Sequence, residues 1–244
     1  MNLYNNMISR QVEIISTKEQ EKLKNTPIIV IGCGGLGGTI IEQLVRSGFE
    51  ELTIIDQDVF DETNLNRQIR SNLDTINETK VEVTKNAMKK INPNVNIQAH
   101  NISINQENIT DIFKDNEVLI DAVDNIYTRV LISREARKQN MVFVHAAVES
   151  TTGELSVFEP NSVSYEELFG LKSLNKPLNE DVTNYLLKCS AKKPQVLGVT
   201  PAIFGALQVN ETIKYLLEKD DVVLAPKVLL WDIFDISSFR IIDL

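Results

Sequence analysis

Residues 27–68 constrain this chain more than any other stretch. They hold an apolar run, Ile28-Ile29-Val30-Ile31, then a glycine loop, Gly32-Cys33-Gly34-Gly35-Leu36-Gly37, and then Thr39-Ile40-Ile41-Glu42-Gln43-Leu44-Val45 with apolar residues at helical spacing. A second apolar run ends at Asp56. The first run predicts a buried strand, and Gly48 ends the helix after the loop. Glycines at 32, 34 and 37 match G-x-G-x-x-G, which lets the backbone turn tightly and brings a helix N-terminus, with its free N–H groups, up to a phosphate. Asp56 stands where an acid accepts hydrogen bonds from ribose hydroxyls. The stretch is a strand–helix–strand unit suited to a nucleotide.

The glycine loop alone suits NAD, FAD, S-adenosylmethionine or ATP, so residues beyond it have to discriminate. Asn64-Leu65-Asn66-Arg67-Gln68 does so. Hydride transfer develops no new phosphate charge and has no evident use for an arginine between two amides just after the ribose acid; chemistry at a triphosphate does. Together with Asp56-Gln57-Asp58, Lys80 and Asp121-Ala122-Val123-Asp124-Asn125, this pattern resembles the ThiF/MoeB/HesA family, the bacterial and archaeal relatives of ubiquitin-activating enzymes. The likeness runs from Ser9-Arg10-Gln11 to Phe239-Arg240, nearly the whole chain.

The resemblance implies a Rossmann-like α/β fold, a doubly wound and mostly parallel sheet extended by C-terminal antiparallel strands. It further implies an ATP- and Mg²⁺-dependent adenylyltransferase. The substrate would be the C-terminal Gly-Gly carboxylate of a small ubiquitin-like sulfur-carrier protein serving molybdopterin, thiamine or related sulfur transfer. Pyrophosphate would leave, and a sulfurtransferase would act as donor partner. A carboxylate attacking the α-phosphate of ATP meets like charge, and the leaving group gains charge, so cations and positioning count for more than a general base. Arg10, Arg67 and Lys80 supply the cations in this reading, Asp124 binds Mg²⁺, Asp56 holds the ribose, and Asn64 and Gln68 orient phosphate or carboxylate. Gly32, Gly34, Gly35, Gly37, Asp58, Asn66 and Asn125 complete the expected nucleotide site. By residue type alone Arg10 is a solvated surface arginine; in the family the arginine at this position crosses a homodimer to the partner's ATP. Asp124 otherwise reads as the N-cap of a helix over 127–139. Cys189 matches loosely a family cysteine that forms a covalent sulfur or thioester link, two residues further from the following helix than expected. A mobile loop beside Lys188, Lys192 and Lys193 would make it reactive, and an incidental exposed thiol is the other reading.

Length suits one nucleotide-binding domain over 1–244, comprising an N-terminal arm and helix (1–26), a crossing loop (161–200) and a C-terminal helix and hairpin (201–244). With 34 acidic against 25 basic residues and net charge −9, the overall field disfavours nucleic acid and anionic membrane. That counts against the runner-up within the fold, a tRNA threonylcarbamoyladenosine dehydratase. An NAD-dependent oxidoreductase and a non-catalytic nucleotide-binding module are the readings from other classes. No run approaches the ~20 apolar residues needed to span a bilayer, and the polar N-terminus lacks a signal-peptide core, so a cytoplasmic location is expected. Two cysteines, Cys33 and Cys189, exclude a four-cysteine zinc site within one chain, and no Cys-x-x-Cys pair stands near Ser164-Tyr165-Glu166-Glu167. No zinc is expected.

Along the chain, Thr17 is the expected cap of a short helix, and residues 80–91 form a helix with Lys80 in its first turn, where a ligand phosphate would explain a cation. Strands are expected at 95–99, 117–122, 141–147 and 153–158, a helix at 201–217, and a hairpin around Asp235-Ile236-Ser237-Ser238. Asp121 reads as structural, His100 and His145 as satisfied core or edge histidines, and Cys33 as a small buried side chain.

Overall fold

A computed structural model describes residues 3–190 and 195–244. The helices are α1 (Leu3–Met7), α2 (Thr17–Asn25), α3 (Gly35–Arg46), α4 (Lys80–Ile91), α5 (Ile109–Phe113), α6 (Ile126–Lys138), α7 (Tyr165–Leu168), α8 (Glu180–Cys189) and α9 (Val199–Leu216). The strands are β1 (Ile28–Ile31), β2 (Glu51–Ile55), β3 (Asn96–His100), β4 (Val118–Asp121), β5 (Val142–Glu149), β6 (Thr152–Phe158), β7 (Lys227–Asp232) and β8 (Arg240–Asp243).

All four residues of β1 are buried, and so are all four of β4. Such runs are stable only between two covering layers. Successive side chains point to opposite faces, and the packing obeys this alternation. Ile28, Val30, Val118 and Ile120 join the core under α3, α4 and α9, with Ile40, Leu44, Met88 and Phe204. Ile29, Ile31 and Leu119 join the opposite core under α5, α6 and α8, with Phe113, Val130, Ile132 and Leu186. The eight strands form one sheet in the order β3-β2-β1-β4-β5-β6-β7-β8. The pairs from β3 to β5 are parallel, and those from β5 to β8 antiparallel. This is the doubly wound, mostly parallel sheet with antiparallel C-terminal strands that the sequence implies, and the strand order reverses direction between β1 and β4.

Two local expectations are corrected. Ser16, not Thr17, caps α2, in a reciprocal box in which its hydroxyl accepts from Glu19 N and Glu19 accepts from Ser16 N. The expected crossing loop over 161–200 contains α7 and α8 instead. Asn179 caps α8 by accepting from Val182 N, Glu180 and Asp181 occupy its first turn, and Leu186 is fully buried with Val182 and Tyr185 beside it. That i, i+3, i+4 set is short but sufficient against the face of α6. Lys192, Lys193 and Pro194 lie outside the described residues. The C-terminal hairpin is present, with a 3₁₀ turn at Ile236–Ser238. No described helix is long and apolar enough to cross a membrane.

Candidate functional site

The glycine loop leaves the carboxyl end of β1, the loop bearing Asp124 leaves that of β4, and these two strands flank the switch point where open α/β sheets bind ligands. Gly32 takes φ +102°, and a Cβ there would press on Ala122 O. A Cβ on Gly37 would collide with the carbonyl of Gly32, so the turn closes only without one. At Gly34 a Cβ would meet no protein atom closer than Gln68 Nε2, at 3.7 Å. The space beyond belongs to a cavity of about 1030 Å³.

That cavity gathers Gly32, Gly34, Gly35, Asp56, Asp58, Arg67, Gln68, Lys80, Asp124, Asn125 and Cys189 from well-separated parts of the chain. Asp56 holds the glycine loop in place, its Oδ2 accepting from Cys33 N at 2.7 Å and its Oδ1 from Asp58 N at 2.8 Å. Burial pushes this carboxyl up from its ordinary pKa, with nearby Lys80 opposing the shift. Lys80 Nζ lies 3.0 Å from Asp58 Oδ2, with its own side chain 8% exposed and that of Asp58 58%. The cation at the start of α4 therefore has an acid partner in the free protein. Arg67 lines the cavity and donates from Nη1 to Thr63 O at 2.7 Å and Asn66 Oδ1 at 2.8 Å. Gln68 is buried, and its Oε1 has no hydrogen-bond partner among the described residues. An orphaned acceptor beneath an unfilled glycine cradle fits an incoming polar ligand.

Asp124 is exposed on the wall, and its one hydrogen-bond contact among the described residues is a 3.5 Å approach from Asn125 Nδ2. It does not cap the following helix; Asn125 does, accepting from Thr128 N at 2.8 Å. A single free carboxylate suits Mg²⁺, which keeps waters and phosphate oxygens as its other ligands. Among the described residues no three His, Cys, Asp or Glu cluster around a metal-sized site.

Four expected site residues do not line the cavity, the first being Gly37, which packs against Gly32 inside the turn. Asn64 is buried with its Oδ1 facing Asp61 N at 3.4 Å, closing the 3₁₀ turn Glu62–Asn64, so its amide serves the backbone rather than the cavity. Asn66 is exposed off the cavity and braces Arg67. Arg10 is exposed on a turn held to the far end of α3, where Gln11 Nε2 donates to Ser47 O at 3.0 Å and Tyr4 OH to Gly48 O at 2.8 Å. The 12 residues of α3 separate that anchor from the glycine loop by about 18 Å. Arg10 is thus absent from its own chain's cavity. Cys189 is exposed but ends a helix rather than lying in a loop. The next residue, Ser190, takes Ile126 N at 2.6 Å on its Oγ and so ties α8 to the start of α6.

The cavity continues onto one face of the antiparallel strands, lined there by Glu149, Glu154, Asp232 and Arg240, while the Trp231 ring turns to the other face against Phe204. Sequence reasoning missed this half, because only strand register brings these residues together. Behind it lies a buried ionic cluster. Asp121 is fully buried and accepts from Arg129 Nε at 2.6 Å and from His145 Nδ1 at 2.8 Å. Burial would raise the Asp121 carboxyl, but the Arg129 charge and the His145 hydrogen bond hold it below its usual pKa. His145 is satisfied, and Cys33 buried, as their residue types suggest.

Among proteins of known family, this chain is 32% identical over 232 residues to a probable molybdopterin-synthase adenylyltransferase of Porphyra purpurea, matching 93% of this chain and 58% of that protein. It is 31% identical over 201 residues to a molybdopterin-synthase adenylyltransferase of Haemophilus influenzae, matching 82% of this chain and 78% of that one. The chain therefore spans less than two thirds of the longer relative. The crystal structure of E. coli MccB with ATP superposes with a TM-score of 0.73 at 22% identity, over 93% of this chain and 65% of that one, a likeness of fold. The ThiF family model matches residues 8–244, and the chain belongs to the ThiF family.

Proposed function

We propose that this protein adenylates the C-terminal Gly-Gly carboxylate of a small ubiquitin-like sulfur-carrier protein, consuming ATP and releasing pyrophosphate. The observation that carries the reading is a single cavity with two unlike halves. One, around the glycine loop, is lined by backbone amides, Arg67 and Lys80, while the other is an open sheet face with room for a second substrate. ATP fits the first half. Asp56 receives the ribose hydroxyls, the loop amides and Lys80 receive phosphate oxygens, and Gln68 turns its unpartnered amide oxygen and its NH₂ toward the reacting groups. Mg²⁺ held by Asp124 would neutralise phosphate charge. Lys80 and Arg67 then face the charge that develops on the leaving pyrophosphate. No protein base is needed, since the acceptor carboxylate is already ionised at neutral pH. Relatives named molybdopterin-synthase adenylyltransferase support this substrate class. Within the same proposal, Arg10 reaches the cavity of a second copy of the chain, and Cys189 is placed to receive an activated acyl or sulfur group.

The test is exchange of labelled pyrophosphate into ATP by the purified chain with Mg²⁺ and each small Gly-Gly-ending protein of the same genome. Exchange with one carrier, abolished by deleting its last glycine, is expected. ATP binding without exchange for any carrier would refute the proposal.

A further inference from the structure

His145 and Glu154 have no role in the adenylation scheme, yet together they join the buried interior to the cavity wall. Glu154 lies on β6 beside Ala147 of β5 and Leu230 of β7, and the row ends at Arg240 of β8. All four line the half of the cavity left for the second substrate. From beneath, His145 Nε2 comes within 3.4 Å of Glu154 Oε1 while its Nδ1 contacts Asp121 Oδ2. The ring thus stands between two carboxylates, one at each nitrogen. Burial opposes ionisation of Glu154, but the hydrogen bond and charge of His145 outweigh it and hold the carboxyl below its usual pKa. Glu154 Oε2 has no hydrogen-bond partner among the described residues, and the side chain is 30% exposed. The network reaches the loop of Asp124 as well. Asp121 accepts from Val123 N at 3.0 Å, and Arg129 Nη2 donates to Val123 O at 2.7 Å, one residue before Asp124.

An ionised carboxylate with a free oxygen only accepts hydrogen bonds. On the wall that must receive a polypeptide end it repels a bare carboxylate and attracts N–H donors. Two consecutive glycines present main-chain N–H groups with no side chain to hold them off the wall. We propose that Glu154, oriented by His145, receives the main-chain N–H groups of the terminal glycine pair and thereby sets the terminal carboxylate against the nucleotide. This rests on the adenylyltransferase reading. His145 acts as a positioning residue, and through Asp121 one buried network aligns both the peptide acceptor and the loop of Asp124.

Trp231 turns its ring to the opposite face of the sheet, against Phe204, so binding is read by isothermal titration calorimetry. The experiment titrates the full chain with an octapeptide ending in Gly-Gly and with its twin ending in two N-methylglycines, which keeps the carboxylate and removes both N–H groups. The native protein should bind the Gly-Gly peptide about tenfold more tightly, the worth of one charge-assisted hydrogen bond. Glu154→Ala should bind both peptides alike, His145→Gln should lose part of the preference, and Glu154→Gln, which keeps an acceptor, should recover part of it. Thermal melting of each variant separates misfolding from lost recognition. Equal binding of the two peptides by the native protein, a preference that survives in folded Glu154→Ala, or no response to either up to about 1 mM would overturn the proposal. Failure of the adenylation reading registers differently, as absent pyrophosphate exchange with the peptide preference intact.

Discussion

Lys80 begins α4, where the helix dipole is least favourable to a cation. In the free protein Asp58 compensates, and both groups border the space beside the glycine loop. If Lys80 serves phosphate, Lys80→Ala should lower carrier-dependent exchange by about 10²–10³. Stability should change by less than about 1 kcal/mol, because the abandoned Asp58 is largely in water. Parallel assays of exchange and thermal melting check this, and a large stability loss with activity retained would make the lysine structural. Asp121 contrasts with it, being fully buried and paired on two sides. Its folded pKa lies below its unfolded value of about 3.9, so its stabilisation is full above that pH and is lost as pH falls through the lowered folded value. Asp121→Asn should cost about 3–5 kcal/mol at pH 7, since Arg129 is left without its counter-charge. Urea unfolding should show the gap to the native protein narrowing as pH falls below about 3.9. A gap of constant size would mean that Asp121 is not the ionised partner.

At the scale of elements, the start of α6 is where structural and functional demands meet. Asn125 caps it, Ser190 just past α8 takes a further N–H, and Asp124 does no capping because its neighbours do that work. Asn125→Ala should cost about 1 kcal/mol, or about 2–4 °C in Tm for a chain of this size. It should also slow exchange, since the loop of Asp124 loses its anchor. Melting curves together with exchange rates at saturating ATP decide this, and an unchanged rate would leave Asn125 a purely structural cap. The same elements differ in how plainly the sequence announces them. β1, β2, β4 and β5 were legible because strands buried on both faces are continuous apolar runs. α8 was not, because Val182, Tyr185 and Leu186, set among polar residues and an exposed Leu187, carry little periodicity until α6 offers them a surface. Asn64 and Asn66 misled for a related reason, since an amide beside a functional arginine reads alike whether it braces the loop or faces the ligand.

For the whole molecule, the placement of Arg10 is the informative fact. It is anchored at the opposite end of α3 from the glycine loop, so any part it plays at the cavity involves a second copy. Arg10→Ala and Asp124→Ala should each be nearly inactive, yet mixing them with verified subunit exchange should restore activity, because one cavity per mixed pair then has both residues. Absence of rescue would refute the arrangement. By itself the sequence determined the half of the cavity around the glycine loop, because a tight turn, its glycines and the acid ending the next strand are local requirements spelled out within residues 27–68. The other half was decided only by tertiary structure. Glu154, His145 and Arg240 come to one face through antiparallel register and packing, contacts whose partners can lie tens of residues apart, and no local pattern records which side chains a sheet will set side by side.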